Sequence, residues 1–196
     1  MADVALGPWH PFTLDELVEQ LAAVDVEWWI SGGHALELAF GRSWRAHDDV
    51  DISTPRRNFA AFAAAVPGWE FHVAAGGVLT PWTGEPLRVD DHQNNVWVRT
   101  EPGGPWRADI TIADGDADEW IFRRDPTVRR PWSEVVRTSS SRMRYLAPHV
   151  QMLYKSRGLR PKDDLDAQVV IPLLDATDRA WLLAHLPADH PWQRID

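Results

Sequence analysis

Ser31-Gly32-Gly33 and, further along, Asp49-Val50-Asp51 are the residues whose types and spacing could do chemistry. Two adjacent glycines let a chain turn sharply and let an anion approach backbone amides. His34 to Phe40 follows as a short helical run with apolar Leu36, Leu38, Ala39 and Phe40, and Gly41 stands where a helix C-cap belongs. A helix that starts on a glycine turn directs free N–H groups and its positive dipole end at the turn, which favours phosphate. In an extended strand, residues two apart share a face. Asp49 and Asp51 are therefore expected to point one way, Val50 and Ile52 into the core, with Asp48 out of phase. Neighbouring carboxylates repel. A divalent cation removes the conflict, and magnesium commonly sits between carboxylates and substrate phosphates.

These residues need elements to hold them. Residues 1–12, with Gly7, Pro8 and Pro11, read as an irregular lead-in. Thr13-Leu14-Asp15-Glu16 is a capping box opening a helix with Leu14, Leu17, Val18 and Leu21 at helical spacing. Val26 to Ile30 is of strand composition and runs straight into the glycines. Pro55 closes the acid-bearing strand, and Arg56 to Val66 reads as a helix stopped by Pro67-Gly68. Strands are expected at Trp69–Val73 and Val78–Trp82 around Gly76-Gly77, and a short one at Leu87–Val89. Asn95–Arg99 and Trp106–Ile112 read as a hairpin across the Pro/Gly loop between them.

Asp109 lies inside the last of these strands, on the face away from Ile110 and Ile112; an acid in a core-like strand is uncommon without a partner. Asp114, Asp116 and Asp118 are expected as a solvated acidic turn, Asp118–Phe122 as a helical turn, and Ser139-Ser140-Ser141 as a linker. From Leu146 the spacing predicts three helices, ending near Gly158, Leu174 and Leu186. The expected class is α/β: a small mixed, twisted sheet with flanking helices over residues 1–140, then a helical C-terminal domain over 141–196.

Composition narrows the function. The 196 residues carry a net charge of −9, which argues against general nucleic-acid binding, a role that leaves a basic footprint. There is no cysteine, so disulfides, thiolate chemistry and cysteine-ligated zinc are excluded. The N-terminus has no signal-peptide pattern and no apolar run is long enough to span a membrane, so a cytoplasmic protein with no membrane partner is expected.

Gly32-Gly33-His34-Ala35-Leu36-Glu37, Gly41-Arg42, Arg45 and His47-Asp48-Asp49-Val50-Asp51 together resemble the nucleotidyltransferase superfamily, whose signature is a glycine pair followed by D-x-D. Within it they most resemble the antibiotic nucleotidyltransferases that adenylylate aminoglycosides or lincosamides. His34 departs from the tryptophan usual at that position. The resemblance implies the nucleotidyltransferase fold and transfer of a nucleoside monophosphate, AMP foremost, from ATP or another NTP to a hydroxyl of a small molecule. It implies two Mg²⁺ ions on Asp49 and Asp51, completed by a third carboxylate from a later strand. Asp109 is the best-placed candidate and, by the same resemblance, accepts the hydroxyl proton. Ser31, Gly32 and Gly33 would hold the β- and γ-phosphates.

Arg42 and Arg45 either contact phosphates or balance the acidic cluster. The tail, with Lys155 followed by Arg160, Lys162, Asp163 and Asp166, resembles the C-terminal helices of related enzymes, where a lysine faces the cleft. Two alternatives stand beside this reading: a toxin-type nucleotidyltransferase acting on tRNA or protein, and a catalytically silent nucleotide-binding module. Three acids held together favour an enzyme over the silent module. The sequence leaves oligomeric state open.

Overall fold

The computed structural model describes residues 7–195. Helix α1 (Leu14–Gln20) begins with the expected capping box: Thr13 Oγ1 accepts from the Glu16 amide and the Glu16 carboxylate accepts from the Thr13 amide. Such a cap contributes about 1 kcal/mol. Strand β1 (Trp29–Ser31) leads into helix α2 (Gly32–Phe40), which Gly41 ends in the left-handed conformation at φ 64°. Strand β2 (Asp51–Pro55) passes through a 3₁₀ turn into α3 (Phe59–Ala65).

The hairpin β3 (Glu70–Ala75) and β4 (Val78–Pro81) turns on the two glycines, and β5 (Asn95–Arg99) pairs antiparallel with β6 (Ala108–Gly115). Leu87–Val89 forms no strand. Residues 7–12 of the lead-in are irregular but tethered, with the His10 and Phe12 amides donating to the Trp106 and Arg107 carbonyls. Residues 1–6 lie outside the described region.

Beyond β6 the chain differs from expectation. Asp118–Phe122 is no helical turn: β7 (Glu119–Ile121) pairs with the end of β6 and with β8 (Arg129–Pro131). A three-residue strand shows no periodicity to read. A short α4 (Trp132–Val135) follows, then the hairpin β9 (Val136–Thr138) and β10 (Arg144–Leu146). The serines are this hairpin's turn rather than a linker: Ser139 donates to the Met143 carbonyl, and the Ser139 and Ser141 hydroxyls hydrogen-bond. The 140/141 boundary thus falls inside a hairpin, one strand of which, β10, pairs parallel with β1.

Helices α5 (Pro148–Lys155), α6 (Pro161–Val170) and α7 (Ala176–Ala184) complete the chain. The main sheet runs β4-β3-β5-β6-β2-β1-β10-β9, with β2/β6 and β1/β10 parallel. Ile30, Val50, Ile52, Ile110 and Ile112 are buried in one core with Leu36, Phe59 and Phe62, as their parity in the strands predicts.

Candidate active site

Register sets the site in rows on one sheet face. Ser31 lies beside Asp51, and Asp51 beside Asp109 on the adjacent parallel strand. Two residues further along, Trp29 lies beside Ser53, and Ser53 beside Thr111. The first row holds the acids; the second holds hydroxyls and an indole. Asp49 precedes β2 rather than lying within it, in the loop that delivers the chain to the sheet.

The acids strain against each other. Burial pushes the Asp51 carboxyl up to about 7, and the charges of Asp109 and Asp49 add to that. Burial likewise pushes Asp109 up to about 6; hydrogen bonds from Asn95 and Trp97 oppose the rise and Asp49 reinforces it. Asn95 Nδ2 lies 3.1 Å from both oxygens of Asp109 and holds that carboxylate flat against the strand pair. Asn95 is a site residue that sequence reading missed. Its parity on β5, facing Thr111 across the hairpin, was the available signal.

The two glycines do different work. Gly32 has φ +68°, and a Cβ there would lie 2.0 Å from Asp51 Oδ2, so only glycine lets the corner approach the acid. A Cβ on Gly33 would lie 2.3 Å from both Arg45 Nη2 and His47 Cε1, so this glycine admits the 41–49 loop. The Gly32 amide donates to Gln151 Oε1 at 2.8 Å, tying the corner to α5.

Across the cleft stands a wall of paired charges. Lys155 Nζ lies 3.0 Å from Asp163 Oδ1 and 3.0 Å from Asp166 Oδ2. Arg45 meets Asp166 with both Nε (2.8 Å) and Nη2 (3.1 Å), Trp44 Nε1 donates to the same carboxylate, and Arg160 binds Asp163. Burial alone would raise Asp163 and Asp166, but these hydrogen bonds and cations hold both below the usual carboxylate range. Lys155 therefore lines the cleft with its ammonium already in two ion pairs. Arg45 braces α6 against the loop. Arg42 is exposed and lies apart, in a groove with His34, Glu37 and Ser139–Ser141.

Between sheet and helices lies a cavity of about 450 Å³, lined by Ser31, Gly32, Asp51, Arg123 and Lys155 among others. Arg123 and Arg124, which follow β7, reach it. Both belong to the arginine-rich stretch the sequence shows, but only the β7–β8 extension turns them inward. Trp29 Nε1, Ser31 Oγ and Arg123 Nη1 line this cavity and are buried without a hydrogen-bond partner. Leaving such a donor unsatisfied costs about 1–3 kcal/mol, so a ligand rich in acceptor oxygens fits. Asp114, expected in a solvated turn, is instead buried at the end of β6 and paired with Arg56 at 2.6 Å. Arg56 also donates to Gln93 and Asn94, which makes this a structural brace.

A divalent cation suits the acid row. Asp51 and Asp109 are desolvated neighbours, and Asp49 acts electrostatically on both. Added positive charge there relieves repulsion that no lysine or arginine neutralises through an ion pair among the described residues. The three carboxylates do not all approach within 4.8 Å of one another; among the described residues, His34, Glu37 and His47 are the set of three that does.

A family model described as aminoglycoside-2''-adenylyltransferase matches residues 13–104, the span that carries the glycine corner and both D-x-D acids. Over that span, a little under half of its length, the chain is similar to this family. Its nucleotidyltransferase fold is shared with the crystal structure of ANT(2'')-Ia in complex with adenylyl-2''-tobramycin: TM-score 0.52, 13% identity, 86% of this chain and 91% of that one covered. An antigenic nucleotidyltransferase-like protein from Paracoccidioides brasiliensis aligns at TM-score 0.45 and 18% identity over 89% of this chain and 88% of its own. Among curated proteins no match is found.

Proposed function

We propose that this nucleotidyltransferase moves a nucleoside monophosphate from an NTP, ATP foremost, to a hydroxyl of a small molecule of the aminoglycoside class. The observation that carries the reading is Asp51 and Asp109 in register on parallel strands, with the Gly32 corner closed against Asp51. The acceptor class follows the matched family description, and a chain of net charge −9 suits a polycationic acceptor.

In this reading the NTP lies in the cavity, its phosphates between the start of α2 and the cationic side of the cleft. Ser31 Oγ and Arg123 Nη1 supply donors to phosphate oxygens, and Trp29 Nε1 supplies one deeper along the sheet. Asp49, Asp51 and Asp109 would hold magnesium, which when bound neutralises phosphate charge. The acceptor oxygen attacks the α-phosphorus, the bond to pyrophosphate breaks, and the hydroxyl proton passes to the Asp109 carboxylate. The desolvated setting that raises this carboxyl in the metal-free protein favours its uptake of a proton. Asn95 fixes the direction in which Asp109 presents its oxygens.

The test is incubation with α-labelled ATP, Mg²⁺ and separate pools of aminoglycosides, lincosamides and total tRNA. Label in the aminoglycoside pool, abolished by Asp51→Asn, is the expected result. Label only in tRNA, or none while ATP still raises the melting temperature, would reject the reading in favour of a toxin-type enzyme or a silent binding module.

A further inference from the structure

Outside the cleft, one cluster of ligand-type side chains is left over from the proposed reaction. His34 and Glu37 stand three apart on α2 and so share a helix face. His47 arrives from the loop that Gly33 admits. The rings of His34 and His47 have centroids 4.1 Å apart, and His47 Nε2 is 3.1 Å from Glu37 Oε1. One ligand atom from each of the three lies within 4.8 Å of the others.

Hydrogen bonds and an ion pair hold Glu37 and His47, and His34 takes part in none of these contacts. Glu37 Oε1 already accepts from the Ser43 hydroxyl and the Trp44 amide, each at 3.0 Å, which fills the lone pairs of one carboxylate oxygen. The His47 side chain is only 8% exposed, and its Nε2 pairs with that same oxygen at 3.1 Å, off the line of a well-aligned hydrogen bond. A buried imidazole nitrogen in contact with a carboxylate, with a second imidazole offering a donor atom within 4.8 Å of both, is placed so that one ion could take over the contact. The local charge favours a cation. Arg45, whose charge reaches His34, is matched by Asp166 through two hydrogen bonds, while Glu37 and Asp49 act on His34 as negative groups and Arg42 lies exposed in the adjoining groove.

We propose that His34, Glu37 and His47 bind a transition-metal ion of the zinc class, at a site separate from the carboxylate row. Two imidazoles and one carboxylate are the donor set that zinc takes with a further position open, whereas magnesium prefers all-oxygen surroundings. His34 and Glu37 also line the groove that contains Arg42 and Ser139–Ser141. A bound ion would fasten the loop between Gly41 and Asp49 to α2, and so fix the approach of the chain to β2.

The test uses full-length protein stripped with chelator, dialysed against zinc in the presence of excess Mg²⁺, and assayed for metal per chain and melting temperature. One zinc per chain, a raised melting temperature, and visible absorption of four-coordinate type on Co²⁺ substitution are expected. His34→Phe and His34→Asn should each weaken zinc binding roughly ten-fold or more, while melting like the metal-free parent. Asp51→Asn should keep its zinc. Zinc retained by both folded His34 variants, zinc lost in Asp51→Asn, or no zinc bound above background overturns the proposal. None of these readouts depends on the transfer reaction, so failure here leaves the reading of the cleft untouched.

Discussion

Two pairs of aspartates border the same cleft and behave oppositely. Asp51 and Asp109 on the sheet are pushed up towards neutral pH; Asp163 and Asp166 on α6 are held down. Both pairs are desolvated. What separates them is company: Lys155, Arg45 and Arg160 are ion-paired with the helical pair, while the sheet pair makes no ion pair among the described residues and feels Lys155, Lys162 and Arg123 only from a distance. The lesson is that residue type and burial do not make a carboxylate functional. An acid already matched by fixed cations is architecture, and one left to repel its neighbour is the kind of group whose repulsion a mobile cation would relieve.

The contrast breaks most sharply under mutation. Asp51→Asn should lower transfer by about a thousand-fold or more, measured with labelled ATP and an aminoglycoside acceptor. The same variant should melt no lower than the parent without metal. A large drop in its melting temperature would make Asp51 architectural after all.

Asp166→Ala should do the reverse, because it strands Arg45 and takes from Lys155 one of its two acids in a buried place. Breaking one partner of such a network costs about 3–5 kcal/mol, read from denaturant unfolding. A loss below about 1 kcal/mol would dissolve the distinction between the pairs.

The pH dependence differs in sign. Asp51 binds its proton more tightly folded, at about 7, than at its ordinary 3.8. Its contribution to stability is complete below the lower value and is lost as pH rises through the upper one. For Asp163 and Asp166 the contribution is present above the ordinary carboxylate range and is lost as pH falls through their depressed values. Metal-free protein should therefore lose melting temperature as pH rises from 3.8 to about 7, and Asp51→Asn or added Mg²⁺ should flatten that fall. An identical slope in parent and variant would contradict the repulsion. The smallest effect concerns the cavity wall: Arg123→Ala should weaken a non-hydrolysable ATP analogue by about ten-fold in calorimetry, and Arg42→Ala should leave it unchanged.

Much of the sheet side was legible because its signals are local. The glycine corner, the apolar parity of Val50, Ile52, Ile110 and Ile112, and the odd acid at 109 each show within a few residues of sequence. The register that sets Asp51 against Asp109 follows once the strands are placed. The other side was not legible in this way. Lys155 reads as a lone cleft lysine until α6 folds back to give it two acids, and Arg45 reads as either a phosphate contact or a balance to the acidic cluster, with nothing nearby in sequence to reveal its pairing with Asp166. Asp114 looked solvated because its partner Arg56, distant in sequence, comes from the end of the neighbouring strand β2. Strands as short as β7 to β10 carry too few residues to reveal alternation.

Strand β10 lies against β1, and a single residue, Ala147, separates it from α5. The glycine corner and the helix bearing Gln151, Tyr154 and Lys155 thus spring from neighbouring ribs of one frame. Their spacing is inherited from sheet hydrogen bonds, so heat or substrate would shift both together, and the gap between them should be among the least variable distances in the molecule.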